Sequence, residues 1–97
     1  MRDTIRKIRV GKKYITGVCL TLQQKNLIVL RGSRGYIMCG YLNLEAAEKF
    51  EEVAVKIVGV ATLNDALNAS VNSCTSAAAR LGIKEGQPVK DILSKIV

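Results

Sequence analysis

Apolar and polar residues alternate along the first third of the chain. Thr4 to Val10 (TIRKIRV) reads as a strand carrying charge, which suits a sheet edge or a solvent-facing side. Gly11-Lys12-Lys13 is a turn. From Tyr14 to Leu22 the period is two. Tyr14, Thr16, Val18, Leu20 and Leu22 share one face, and Ile15, Gly17, Cys19 and Thr21 share the other. Gln23 to Lys25 turns the chain again. Leu27-Ile28-Val29-Leu30 is apolar throughout, the pattern of a strand buried on both faces. Gly32-Ser33-Arg34-Gly35 is a tight connection, and Tyr36 to Leu42 a fourth strand. Four strands joined by short links predict an antiparallel meander over residues 1–42.

The period changes at Asn43, a good N-cap, after which Leu44, Ala47 and Phe50 fall on one helical face. Glu45 and Glu48 sit early in that helix, where its dipole favours acids. Residues 53–60 return to strand. Thr62 and Asp65 form a capping box for a short helix to Asn68 that buries Leu63, Ala66 and Leu67. Residues 70–73 read as another strand. A parallel pairing with 53–60 would need a crossover of about ten residues, the lower limit for that connection. A third helix carries Cys74, Ala77, Ala78 and Leu81 and ends at Gly82. Gly86-Gln87-Pro88 opens a last helix with proline in its first turn and Val89, Ile92, Leu93 and Ile96 as its stripe. The expected fold is α+β: an antiparallel meander, then a βαβα region with a C-terminal helix. One domain is expected over 1–97, β-rich in 1–42 and mixed in 43–97.

Composition changes this picture in one respect. A 97-residue chain buries only about two-thirds of its unfolded surface. Yet 48% of the residues are hydrophobic and the mean hydropathy is +0.17. The surplus points to a subunit interface, a dimer or tetramer formed through the β region. No run reaches the ~18 apolar residues of a membrane helix, so no membrane association is expected. Tyr14–Leu22 follows a basic segment as a leader's core would. Thr16 and Thr21 interrupt it, however, and Gln23-Gln24-Lys25 replaces a small-residue cleavage site, which makes it a strand.

The net charge of +7 is concentrated. Residues 1–34 hold nine Lys/Arg (Arg2, Arg6, Lys7, Arg9, Lys12, Lys13, Lys25, Arg31 and Arg34) against one acid, Asp3. Such asymmetry can face a polyanion. Cys19, Cys39 and Cys74 are odd in number and widely spaced, which fits reduced thiols and a cytoplasmic location. There is no histidine and no CxxC, so His-based triads and metal sites drop out, and neither metal nor cofactor is expected.

Arg34-Gly35-Tyr36-Ile37-Met38-Cys39-Gly40-Tyr41-Leu42 resembles a segment of the YunC-like family of short bacterial and archaeal proteins of unknown function. Val58-Gly59-Val60, the run Thr62 to Ala69, and Leu81-Gly82-Ile83 with Gly86 fit the same family in the same order, from about Tyr14 onward. The resemblance implies an α/β subunit whose N-terminal β region takes part in oligomerisation, as a tetramer. It implies no activity, and it offers no precedent for the basic run in residues 2–13.

The candidate site is the junction of Cys39, Gly40, Tyr41 and Asn43, with Arg34 from the preceding connection. A thiol near a helix N-terminus can become a nucleophile, and Gly40 lets a ligand approach the backbone. Tyr41 adds a hydroxyl. The competing account makes Cys39 a small core hydrophobe without a histidine base and Gly40 a bulge. Gly32–Gly35, flanked by Arg31, offers N–H groups and guanidinium to a phosphate, but it lacks P-loop spacing and reads first as an ordinary hairpin turn. Asn43, Thr62 and the Ser73–Ser76 cluster are potential anion sites or plain caps. Glu51 and Glu52 point apart and make no catalytic pair. Any nucleic acid would meet Arg6, Lys7, Arg9, Lys12 and Lys13. With only Tyr14, Tyr36, Tyr41 and Phe50 as aromatics, base stacking has little support and such binding is not expected to be tight. The function these features favour first is a non-catalytic, oligomeric binding or assembly module for a small anionic metabolite. A thiol-dependent enzyme using Cys39 is the alternative, and a weak nucleic-acid binder the third.

Overall fold

A computed structural model describes residues 3–97. Arg2, one of the nine cations of the first third, lies outside them. Strands β1 (Thr4–Val10) and β2 (Lys13–Thr21) form a hairpin in which Val10 faces Lys13 across a two-residue turn. Strands β3 (Asn26–Arg31) and β4 (Tyr36–Met38) complete the antiparallel meander. Helix α1 (Leu44–Lys49) then carries the chain over to β5 (Ala54–Lys56), which pairs parallel to β4. Helix α2 (Leu63–Leu67), strand β6 (Ser73–Cys74), helix α3 (Ser76–Arg80) and helix α4 (Val89–Ile96) follow. The protein is α+β. Among the described residues the six strands make one sheet, ordered β1-β2-β3-β4-β5-β6 as in the chain.

The registers separate the two faces of the sheet. One carries Ile8, Ile15, Gly17, Ile28, Leu30, Ile37 and Val55, and against it pack α2, α3 and α4 through Leu63, Ala66, Ala78, Ile92, Leu93 and Ile96. Ile28, Leu30, Ile37, Ile92 and Ile96 are fully buried there, each worth about 1.5–3 kcal/mol of transfer free energy. Gly17 leaves room for Leu63 of α2: a Cβ on it would lie 3.2 Å from that side chain. So the helices chose the Ile15/Gly17/Cys19 side of β2, and the more regular apolar side, Val18 and Leu20, faces away. On that second face α1 covers only β4 and β5, through Leu42, Leu44, Ala47 and Ala54. The open part is β1–β3, so Ile28 and Leu30 are buried while Leu27 and Val29 are half-buried, short of the two-sided burial their pattern predicted.

Several boundaries differ from expectation, each for a local reason. The fourth strand stops at Met38 instead of Leu42, because the Leu42 N–H donates to the Cys39 carbonyl (3.0 Å) and closes a turn. The strand expected over 53–60 is Ala54–Lys56, and Gly59 at φ +72° bends the chain away. Strand β6 is shorter than 70–73 and runs antiparallel to β5. Cys74 belongs to β6, and Thr75 caps α3 by accepting from the Ala78 N–H. Pro88 is the N-cap of α4 (ψ 138°), one residue before the first turn. Phe50, expected on the buried stripe of α1, is its C-cap and is 76% exposed.

Candidate functional site

Strands β4 and β5 are parallel neighbours, yet the chain leaves them toward opposite faces of the sheet. After β4 it passes to α1, and after β5 to α2. Where connections diverge in this way, a crevice opens outside the carboxyl ends of the strands. The crevice is present, with a volume of about 760 Å³. One wall is Gln24, Lys25 and Asn26 of the β2–β3 turn, the second Cys39, Gly40 and Tyr41, and the third the Val58–Ala61 loop. Asn26 braces two walls, its Nδ2 donating to the Ala61 carbonyl (2.8 Å). Gly40 faces open space, Tyr41 is half-exposed and Val58 is exposed.

Among the described residues no carboxylate lines the cleft, and Lys25 is the one charged lining group. Among the described residues no protein acceptor meets the backbone N–H groups of Gly40, Tyr41, Val58, Gly59 or Val60. One ammonium, a phenol, an amide and a set of free N–H donors bordered by Val58 and Val60 suit a small ligand with anionic or acceptor oxygens.

Cys39 lies at the cleft but turns into the core, 4% exposed. The β3–β4 ladder ends here. The Cys39 N–H still donates to the Ile28 carbonyl (3.1 Å), but the Cys39 carbonyl has turned to Leu42. The Ile28 N–H therefore donates to Cys39 Sγ (3.4 Å), and the thiol reaches the Asn26 carbonyl (3.8 Å). Sulfur takes the place that a ladder carbonyl has vacated.

The other predicted groups are engaged elsewhere. Asn43 accepts from the Ala46 N–H (3.1 Å), capping a helix of only six residues. Arg34 lies at the opposite end of β4 from Cys39. Its Nη2 donates to the Ser94 carbonyl and its backbone N–H to the Ile96 carbonyl, both at 2.9 Å. Ser33 Oγ donates to the Val97 carbonyl (3.0 Å). The Gly32–Gly35 turn thus serves the last carbonyls of α4 instead of a phosphate. Thr62 and Asp65 complete their capping box, and Asp65 also accepts from the Ala61 N–H (3.0 Å), which holds its carboxyl below the usual range.

The Ser73–Ser76 cluster does hold an anion, but the chain supplies it. Glu48 of α1 accepts from the Ser76 N–H (2.9 and 3.0 Å) and from Ser76 Oγ (2.8 Å), and the N–H donation lowers its pKa. Thr75, buried to 1% exposure, donates to the Glu52 carbonyl (2.6 Å) and accepts from the Ala54 N–H (3.1 Å). Its signal, a threonine before Ser76-Ala77-Ala78-Ala79, was in the sequence. Val58-Gly59-Val60 carried a family resemblance but no sign of a site, and Lys25 carried no motif; only the fold brings them together.

The five N-terminal cations do not share a surface. Arg6 and Lys13 fall on the helix-covered face, Lys7 and Arg9 on the open one, and Lys12 in the turn. Arg9 Nε donates locally to the Gly11 carbonyl (2.9 Å). Among the described residues no helix is long and apolar enough to cross a membrane.

The family model of a domain of unknown function, DUF1805, matches residues 38–96. The uncharacterized protein YunC of Bacillus subtilis (strain 168) is 38% identical over 94 residues, covering 93% of each chain. The crystal structure of TA1206 from Thermoplasma acidophilum, a protein of unknown function, superposes with a TM-score of 0.95 at 34% identity, over 99% of this chain and 94% of that one.

Proposed function

This chain belongs to the DUF1805 family, and from that premise we propose that it is a non-catalytic binding module for a small anionic ligand, assembled as a homo-oligomer through its β region. The observation that carries the reading is the cleft beyond β4 and β5: among the described residues, one lysine, no carboxylate and five backbone N–H groups without a protein acceptor, at a point where chain connections diverge. Gly59 adopts φ +72°, a conformation open to glycine, and so turns that loop into the cleft at little cost. The assembly part draws support from the uncovered apolar strands β1–β3. Three free thiols suit a reducing cytoplasm.

Thermal shift against a panel of small carboxylates and phosphate esters tests the binding part. A ligand at a hundred times its Kd adds about 2.7 kcal/mol, and each kcal/mol is worth about 4–8 °C in a domain of this size. At least one oxyanion class should raise Tm, and Lys25→Ala should abolish the shift. A panel without any shift, or a shift indifferent to Lys25→Ala, refutes it. The second reading, a thiol-dependent enzyme, rests on Cys39 bordering the cleft. It requires turnover that alkylation abolishes, and its buried sulfur, engaged by Ile28 and Asn26, favours the binding reading instead.

A further inference from the structure

We infer that the cleft beyond β4 and β5 takes an organic monocarboxylate with a flat apolar body, its head at the Lys25 wall and its body between Gly40-Tyr41 and the Val58–Ala61 loop; this rests on the reading that the cleft binds a small anion. The lining divides by chemistry. Gln24, Lys25 and Asn26 make one polar wall. Facing it are Tyr41 and Val58, two large apolar side chains left 50% and 52% exposed. A ligand that covers them removes apolar surface from water, which a bare inorganic anion cannot do. Size points the same way. About 760 Å³ is the volume of a pocket that encloses a whole organic molecule, far more than acetate or phosphate fills.

The charge of the cleft suits a head with one negative charge. Among the described residues the Lys25 ammonium has no protein partner, and no second cation lines the cleft. An acid stands behind the far wall. Asp65 Oδ2 accepts from the Ala61 N–H (3.0 Å) and the Thr62 N–H (3.1 Å), and these bonds favour its charged form. A dianion would bring its second charge into the field of Asp65 with no cation to meet it. A single carboxylate is met by Lys25. Strands β3 and β4 are antiparallel and Cys39 bonds to Ile28, so Gly40 and Tyr41 come beside Asn26 and Lys25. Their N–H groups are then available to the same head.

Gly40 gives the body its shape. Gly17, Gly32 and Gly35 make room for side chains or backbone of the protein itself, and Gly59 holds a positive φ. Gly40 does neither. Its φ is not positive, and a Cβ built on it would meet nothing within 4 Å. The fold thus makes no demand for glycine at a position that lines the cleft. A bare backbone there lets a ligand lie close against it. Gly59 on the neighbouring wall also opens onto empty space. Two walls without side chains at these points leave a slot, and a slot beside the Tyr41 ring suits a flat ring system.

Calorimetric titration with 2-naphthoate, its saturated decahydro counterpart, acetate and 2-naphthyl phosphate tests the assignment. The work is done at about pH 8, where a phosphate monoester is a dianion. 2-Naphthoate should bind about a hundredfold or more tighter than acetate, through the apolar area of its rings. It should also bind tighter than the saturated acid and the phosphate. Tyr41→Ala should weaken 2-naphthoate about tenfold, the loss of one aromatic contact. Gly40→Leu should weaken it at least as much by filling the slot, with circular dichroism and the unliganded Tm checking the fold. Tyr41 is half-exposed, so its variant keeps the test open if Gly40→Leu fails to fold. If 2-naphthyl phosphate binds as tightly as the carboxylate and loses binding in Lys25→Ala, the cleft still takes an anion but the class assigned to it is wrong. Acetate matching 2-naphthoate, or affinity indifferent to Tyr41→Ala, overturns the apolar body. No binding by any of the four overturns both readings.

Discussion

Cys39 and three glycines show how much a single position can mean. The Cys39 sulfur accepts the Ile28 N–H at the point where the ladder ends. Cys39→Ala leaves that buried donor without a partner and should cost about 1–2 kcal/mol, read as a lower urea midpoint at constant m. Cys39→Ser, whose oxygen can still accept, should cost less. In the native protein Cys39 should resist iodoacetamide, while the half-buried Cys19 and Cys74 react first; rapid labelling of Cys39 would contradict the packing described. In the sequence Gly32 and Gly35 read as turn residues and Gly40 as part of a strand; the fold separates them further. A Cβ on Gly32 would overlap the backbone carbonyl of Ile96, and one on Gly35 would press on Val53, whereas Gly40 opens onto the cleft. Gly32→Ala should therefore destabilise by about 1–3 kcal/mol, and Gly40→Ala should stay within about 0.5 kcal/mol while interfering with any ligand. Equal melting temperatures for the two variants would show that the contact between that turn and α4 is not tight.

At the scale of elements, signals confined to three or four residues were legible. The alternation of β1 and β2, the caps Asn43 and Thr62, the Thr62/Asp65 box and the stripe of α4 all appear where the pattern put them. What escaped depended on partners far along the chain. Residues 39–42 look like strand until Leu42 finds Cys39 behind it and α1 above it. The direction of β6 shows only in its pairing with β5, on the far side of α2 in the chain, and Phe50 fits an apolar stripe but lies past the helix end. The candidate site divides likewise. Cys39, Gly40 and Tyr41 were within reach as a strand-end junction, whereas Lys25 and Val58 join them only through topology. The clasp between Glu48 and Ser76 gives a pH test. The Glu48 carboxyl lies below its usual range because Ser76 donates to its charged form, and Asp65 does so chiefly because of Ala61. A lowered folded-state pKa contributes stability that is complete above the unfolded value and is lost as pH falls through the folded one. Resistance to urea should thus hold from neutrality to about pH 5 and decline below about pH 4. Glu48→Gln should flatten that decline, and an unchanged acid limb would remove the clasp from the account.

For the whole molecule, charge and topology give different messages. The excess of cations in the first third invites a nucleic-acid role, but the registers divide Arg6 and Lys13 from Lys7 and Arg9. Filter binding should therefore find only weak, sequence-independent retention that disappears by physiological salt, because phosphate contacts act through counterion release. Sequence-selective retention at that salt would reverse the expectation. Topology speaks to how the molecule is made. Strand order in the sheet equals strand order in the chain, so no strand must be inserted between two already paired. During synthesis each strand can dock on the one that emerged just before it, closing short loops at small entropic cost. The helix-covered face waits longer. α4 adds Ile92, Leu93 and Ile96 to the core and holds the Arg34 turn only after the rest has left the ribosome. A nascent chain halted before Val89 would have only α2 and α3 over that face and would leave part of its apolar surface open, a natural client for chaperones until the last helix closes over it.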